Sequence, residues 1–182
     1  MFTTISMKRI LIVLLPLMAL ISCNKDSELP PATDTGNGTF GAKIDGTVWA
    51  PKGYGIFPAN DILEARMSGN NLIINARNFA SSPTETEFQL TIINVTGPGT
   101  YLLNTDTPHP TNWTSSYGFY VKRTMSPENE WITTPAYTGW VNISKLDLVN
   151  RIVAGTFEFD ANGRITPGVI HVTEGRFDVK IL

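Results

Sequence analysis

Gly175-Arg176-Phe177-Asp178-Val179-Lys180-Ile181-Leu182 closes the chain, and its reading decides the fold. Phe177, Val179 and Ile181 fall on one side of an extended segment; Arg176, Asp178 and Lys180 fall on the other. Successive side chains of a strand point to opposite faces, so this is a strand with one buried and one solvated face. Upstream, Phe157-Glu158-Phe159 repeats the pattern.

The same period recurs along the chain. Thr39 to Ile44 and Thr47 to Ala50 flank Asp45-Gly46, a strong hairpin signal because both central residues of a type I′ turn need φ > 0. Ile62 to Met67 and Leu72 to Ala76 flank Gly69-Asn70-Asn71. Glu87 to Asn94, Thr100 to Leu103 after Gly97-Pro98-Gly99, Ser116 to Lys122 and Gly139 to Ile143 follow. Ile152 to Phe159 then ends in an Ala161-Asn162-Gly163 turn, and Val169 to Val172 precedes the closing strand. No long window keeps the i, i+3, i+4, i+7 apolar stripe of a helix. About ten short strands at regular turn spacing predict an all-β fold, an antiparallel β-sandwich or flattened β-barrel, over residues 39–182.

Residues 1–22 read differently. Lys8 and Arg9 precede an apolar stretch from Ile10 to Ile21, interrupted only by Pro16. It is too short to span a bilayer, which takes ~20 apolar residues, and fits the h-region of a secretory signal. Its end, Leu20-Ile21-Ser22-Cys23, resembles the lipobox of bacterial lipoprotein signal peptides. That resemblance implies cleavage before Cys23, a diacylglyceryl group on the Cys23 thiol and an acylated amino group there, hence a membrane partner through the lipid. More than one acyl chain gives stable anchoring. Cys23 is the only cysteine, so its lipidation leaves the domain without disulfides and dependent on its core. Residues 24–38, NKDSELPPATDTGNG, are polar and rich in Pro, Gly and Thr; with Cys23 they read as a flexible tether reaching ~50 Å at full extension. The stretch Asn24-Lys25-Asp26-Ser27-Glu28 is similar to the export signal of Bacteroidota surface lipoproteins. The location implied is the bacterial outer membrane, at the cell surface or the periplasmic face.

Loss of residues 1–22 lowers Lys plus Arg from 14 to 12 against 16 Asp plus Glu, a net charge near −4. An acidic chain without a basic stripe is a poor nucleic-acid binder.

Chemistry-bearing patterns are sparse. His109 and His171 are the two histidines, there is no Gly-x-Ser-x-Gly elbow, and no catalytic residue is assigned. No His/Cys set has zinc spacing, and Asp160-Ala161-Asn162-Gly163 begins like a calcium loop but has His171 at its twelfth position, so it reads as a turn and no metal or cofactor is expected. Glu85 with Glu87, and Glu128 with Glu130, have the spacing of a shared strand face or of a solvated edge; a carboxylate-dependent hydrolase stays an alternative. The stretch from Asn104 to Trp140 is irregular and holds Trp113, Tyr117, Phe119, Tyr120, Trp131, Tyr137 and Trp140. Aromatic rings among amides and hydroxyls suit a glycan or peptide ligand, with Trp113, Trp131, Tyr137 and Trp140 as candidates; the same rings suit an end cap and the core better still, since large aromatics dominate β cores. A calycin-like barrel around a small apolar ligand is a further alternative.

Ile152-Val153-Ala154-Gly155-Thr156-Phe157-Glu158-Phe159 and Val172-Thr173-Glu174-Gly175-Arg176-Phe177-Asp178-Val179, with the opening phrase Gly38 to Trp49, resemble a family of uncharacterised Bacteroidota lipoproteins with a domain of unknown function. The resemblance spans roughly residues 38–182. It implies a lipoprotein, an all-β fold and an envelope location, and carries no activity over. Gly155 and Gly175, each just before an aromatic strand, read as bulges or close backbone approaches.

Overall fold

The computed structural model describes residues 28–53, 62–108 and 114–182. Among them there are eleven strands and no helix. In chain order these are β1 (Thr39–Ile44), β2 (Thr47–Trp49), β3 (Leu63–Ser68), β4 (Asn71–Asn78), β5 (Glu85–Ile92), β6 (Gly99–Leu103), β7 (Tyr117–Arg123), β8 (Pro127–Ile132), β9 (Gly139–Asp147), β10 (Ile152–Gly163) and β11 (Val169–Lys180). The hydrogen-bonded order is β2-β1-β11-β10-β8-β7-β5-β4-β3, all antiparallel, and β9 pairs with Ile152–Phe159 of β10 while carrying β6 on its far edge. The sheet curls until its ends meet. Ala65 of β3 bridges Ile181, just past β11, and Lys52, just past β2, bridges Asn78 of β4. The fold is all-β and barrel-like, as the alternation predicts.

Alternation explains the core. Phe177, Val179 and Ile181 are buried, as are Val153, Phe157, Phe159 and Ala161 of β10. Phe88 of β5 sits among Trp49 at 4.7 Å, Tyr120 at 4.9 Å, Phe40 at 5.7 Å and both Phe157 and Phe159 at 6.2 Å between ring centroids. These are tilted or edge-on pairs, the arrangements aromatic quadrupoles favour.

Glycines make room for these rings. Gly155 lies opposite Phe177, and Gly175 opposite Phe157; Gly139 lies opposite Phe159. A Cβ on Gly175 would stand 2.5 Å from the Phe157 carbonyl and 2.6 Å from its ring, and one on Gly139 or Gly155 would also collide with backbone across the strand pair. Register shifts fall at Ala154/Gly155 and Phe157/Phe159. The close approach and the bulge expected at Gly155 and Gly175 are both present.

Three elements differ from the sequence expectation. β8 lies inside the stretch read as irregular. β10 runs through Ala161-Asn162-Gly163, because Ala161 continues the inward row of Phe157 and Phe159. β11 is one strand where two were expected; it absorbs a bulge at Thr173–Glu174, where Glu174 has φ 51°. A second apolar cluster, Tyr117, Phe119, Val121 and Ile132, lies on the outward face of β7 and β8.

The segment read as a flexible tether is docked in its described part. Asp178, expected to be solvated, is 1 % exposed. Its carboxylate accepts hydrogen bonds from Thr33 Oγ1 (2.6 Å) and from the backbone N–H groups of Thr35 (3.0 Å), Gly36 (2.6 Å) and Asn37 (3.3 Å). Lys145 Nζ donates to the Asp34 carbonyl (2.8 Å), and Pro30 packs where Gly41 has no side chain. Composition alone suggests a disordered segment; a buried carboxylate that collects three backbone donors reverses it. Burial pushes the Asp178 carboxyl up, but the hydrogen bonds from Thr33, Gly36, Asn37 and Thr35 outweigh it and hold the group below the usual carboxylate range.

This packing can be tested at two positions. Gly175→Ala, having no free space, should lower unfolding stability by about 1–3 kcal/mol in urea titration; an unchanged midpoint would contradict the close approach. Asp178→Ala orphans three backbone donors and should cost about 2–4 kcal/mol at pH 7. A carboxylate with a depressed folded pKa stabilises fully above its unfolded value of ~3.9 and loses that contribution as pH falls through the folded value. The gap between wild type and variant should therefore be flat from neutral pH to about pH 5 and narrow below about pH 4.

Candidate functional site

Cys23, His109 and Trp113 lie outside the described residues. The other candidates fall on different surfaces. Trp131, on β8, points to the inner side of the sheet and tilts against Tyr120 at 5.6 Å, packed on the main core. Its neighbour Ile132 belongs to the outward cluster. Tyr137 is half-buried in a turn whose backbone exchanges hydrogen bonds between Thr134 and Tyr137 (2.8 and 3.2 Å). Trp140, on β9, points outward. Strand parity separates Trp131 from Trp140, so the candidate rings do not form one stacking platform.

Trp140 lies in an open groove of ≈ 330 Å³. In register it stands between Leu102 of β6 and Glu158 of β10. Leu102 is 59 % exposed, and Thr138, Asp160 and Thr173 complete the polar lining. Phe157 and Phe159 turn into the core, which leaves Glu158 and Asp160 side by side on the outer face of β10. Asp160 Oδ1 meets His171 Nδ1 at 2.7 Å. The hydrogen bond to Asp160 and its negative charge raise the His171 pKa above its usual value. Glu158 Oε1 accepts the Glu174 N–H (3.3 Å), and the Glu174 carboxylate pairs with Lys43 Nζ at 2.6 Å. The groove thus combines an indole, an exposed leucine, hydroxyls and two carboxylates, one of them paired with an imidazole. Such a surface offers apolar contact to a ring face and hydrogen-bond acceptors at its rim.

Of the carboxylates singled out by spacing, Glu85, Glu87 and Glu128 are engaged in ion pairs. Arg123 bonds Glu85 and, at 2.6 Å, Glu87; Arg77 lies 3.5 Å from Glu87. Glu128 accepts from Lys122 (2.8 Å) and Thr124 (2.7 Å). Among the described residues no group of three His, Cys, Asp or Glu side chains converges to hold a metal ion.

A second concavity, ≈ 490 Å³, opens at one end of the curled sheet. Asn78, Thr86 and Lys122 follow one another in register across β4, β5 and β7, on the side that carries Ala76, Phe88 and Tyr120. Trp49 and Tyr120 form its floor, and Trp49 Nε1 donates to Thr86 Oγ1 (2.8 Å). The sequence does contain this signal: three inward rows turn from apolar to polar at the same end. It becomes readable only once the strands are placed side by side. A third concavity, ≈ 690 Å³, lies between the docked N-terminal segment and the start of β3, bordered by Phe40, Ile62, Leu63 and Val179 and apart from the groove at Trp140.

A family model described as Domain of unknown function (DUF6252) matches residues 37–179. The match begins at Asn37, on the docked segment, and runs to Val179, near the end of β11. No similar curated protein was found, and no similar solved structure. The matched span covers most of the chain, and the chain belongs to the family of the domain of unknown function DUF6252.

Proposed function

We propose that the protein is a lipid-anchored binding module of the bacterial outer envelope that takes a glycan on the groove around Trp140. The anchor reading rests on Leu20-Ile21-Ser22-Cys23 behind a short apolar segment. The binding reading rests on one observation above all. A half-buried indole faces outward between Leu102 and Glu158, with Asp160, Thr138 and Thr173 around it. The indole offers the C–H face of a sugar ring apolar area at low entropy cost, and the carboxylates and hydroxyls accept and donate to its hydroxyl groups.

The other readings have less support. An apolar ligand inside the barrel competes with Phe40, Phe88, Phe157 and Phe177, which already fill that space. A hydrolase built on Glu85 and Glu87 would have to work with carboxylates already held by Arg123. Glu158 and Asp160 share a groove whose floor is an indole, the composition of a binding surface rather than of a pair flanking a scissile bond.

Two experiments test the proposal. Tryptophan fluorescence over a glycan panel should show a saturable change, and calorimetry with the responding glycan should show at least about a tenfold loss of affinity in Trp140→Ala, on the order of 1.4 kcal/mol. Trp131→Ala should keep the affinity while lowering stability by about 2 kcal/mol, because its ring packs on Tyr120. Binding untouched by Trp140→Ala would overturn the assignment of the groove, and a response to peptides alone would move the ligand class. Cys23→Ala should abolish lipid labelling and release the protein from membranes; unchanged membrane attachment would sink the anchor reading.

A further inference from the structure

The docked N-terminal segment has a direction. Glu28 and Leu29 line a cleft with Lys43, Val48, Glu174 and Arg176. Arg176 Nη1 donates to the Pro30 carbonyl (3.4 Å), and a Cβ on Gly41 would stand 2.7 Å from Pro30 Cδ. Thr33 to Asn37 then close on Asp178. Gly36 packs against Ile152 and Lys180, where a Cβ would meet their side chains at 3.1 and 3.3 Å. Gly36 (φ 79°) and Gly38 (φ 70°) turn the chain back into β1. The strap therefore runs along β11 from Arg176 toward Lys180, and its first described residue, Glu28, stands where the cleft lined by Lys43, Val48 and Glu174 meets the ≈ 690 Å³ concavity that Ala50 and Pro51 also border.

That point lies nearer the Asp45–Gly46 turn, two residues from both Lys43 and Val48, than the β9–β10 turn. The Asp45 N–H donates to the His171 carbonyl (2.9 Å), and Asp45 Oδ1 accepts the His171 N–H (2.9 Å). The β9–β10 turn, with Leu148 and Val149, lies at the other end, since Ile152 pairs with Lys180. A free tether from Cys23 through Gly38 would allow ~50 Å of reach, whereas Cys23 and Glu28 can be at most ~18 Å apart. Thr173 lines the Trp140 groove and Glu174 lines the cleft at Glu28, one residue apart on β11.

We infer that the strap holds the domain close against the membrane that carries its anchor, with the Asp45–Gly46 end and the Trp140 groove facing the lipid headgroups and the Leu148–Val149 turn facing away. The partner of this end is the lipid surface, and the groove meets ligands at headgroup level. The inference rests on the anchor reading proposed above. It does not depend on which ligand the groove takes. The surface at this end carries Glu28, Asp45, Glu158, Asp160 and Glu174 against Lys43, Arg176 and His171, so the short spacer and the strap hold the domain there; charge attraction to anionic lipids does not.

The test uses the full-length protein purified with its lipid and placed in phosphatidylcholine–phosphatidylglycerol vesicles that carry a headgroup-linked acceptor dye. With Cys23 acylated, an introduced cysteine is the one thiol available for a donor dye. Thr47→Cys, beside the Asp45–Gly46 turn, and Val149→Cys, 91 % exposed, are the two sites. Energy transfer should be clearly stronger from position 47 than from position 149. Insertion of about a dozen Gly-Ser residues after Ser27 leaves the strap intact and should bring the two signals together, because a flexible coil restores the lost reach; Asp178→Ala should do the same by releasing the strap. Equal transfer from both sites in the lipidated parent would overturn the inference, as would a difference that survives the insertion. Absence of lipid, seen by mass and as dye on Cys23 itself, would overturn the anchor reading and this inference with it, so the two failures are told apart.

Discussion

The contact between glycine and phenylalanine across neighbouring strands is the constraint on which the rest of the molecule depends. Gly155 faces Phe177, Gly175 faces Phe157 and Gly139 faces Phe159 across β9, β10 and β11. Gly155 and Gly175 give the space of their missing side chains to the rings of Phe177 and Phe157, Gly139 gives its space to the Phe159 Cβ and the backbone beside it, and the Phe157 and Phe159 rings reach Phe88 on the opposite wall. A domain without disulfides has to gain its stability from such burial. The bulges beside these glycines bend and twist their strands, so the packing device is also a source of the curl.

This arrangement fixes what each outward face displays. With Phe157 and Phe159 committed inward, Glu158 and Asp160 face out beside Trp140. With Phe177 and Val179 inward, Asp178 faces out, and an unpaired carboxylate there would simply be hydrated. The strap exists because Thr33 to Asn37 bring their donors to that carboxylate. Core, groove and strap are thus three consequences of one strand register.

The sequence carries much of this. The alternation in Phe177, Val179 and Ile181, the Asp45–Gly46 turn and the role of Gly155 and Gly175 are all legible, because they are local. What it hides is long-range. Asp178 reads as solvated since alternation tells which face a side chain takes and not what covers that face; its partners lie more than 140 residues away. β8 is masked by its polar composition, and the reason is also distant: Asn129 Oδ1 accepts the N–H groups of Ile165 (3.1 Å) and Thr166 (2.9 Å). The aromatic stretch from Asn104 to Trp140 is visible as a cluster, but parity within β8 and β9 sends Trp131 inward and Trp140 outward. Rings that sequence proximity groups together are divided by the pleat.

Residues 28–37 are part of the domain and end in the clasp on Asp178. Amide hydrogen exchange across residues 28–38, followed by nuclear magnetic resonance at neutral pH, tests this most directly. The Thr35, Gly36 and Asn37 amides donate to a buried carboxylate and should exchange at least about a hundredfold more slowly than in an unstructured chain, since each opening must break a charge-assisted bond. Exchange of these three amides at unstructured-chain rates would contradict the account and return residues 28–38 to a free tether.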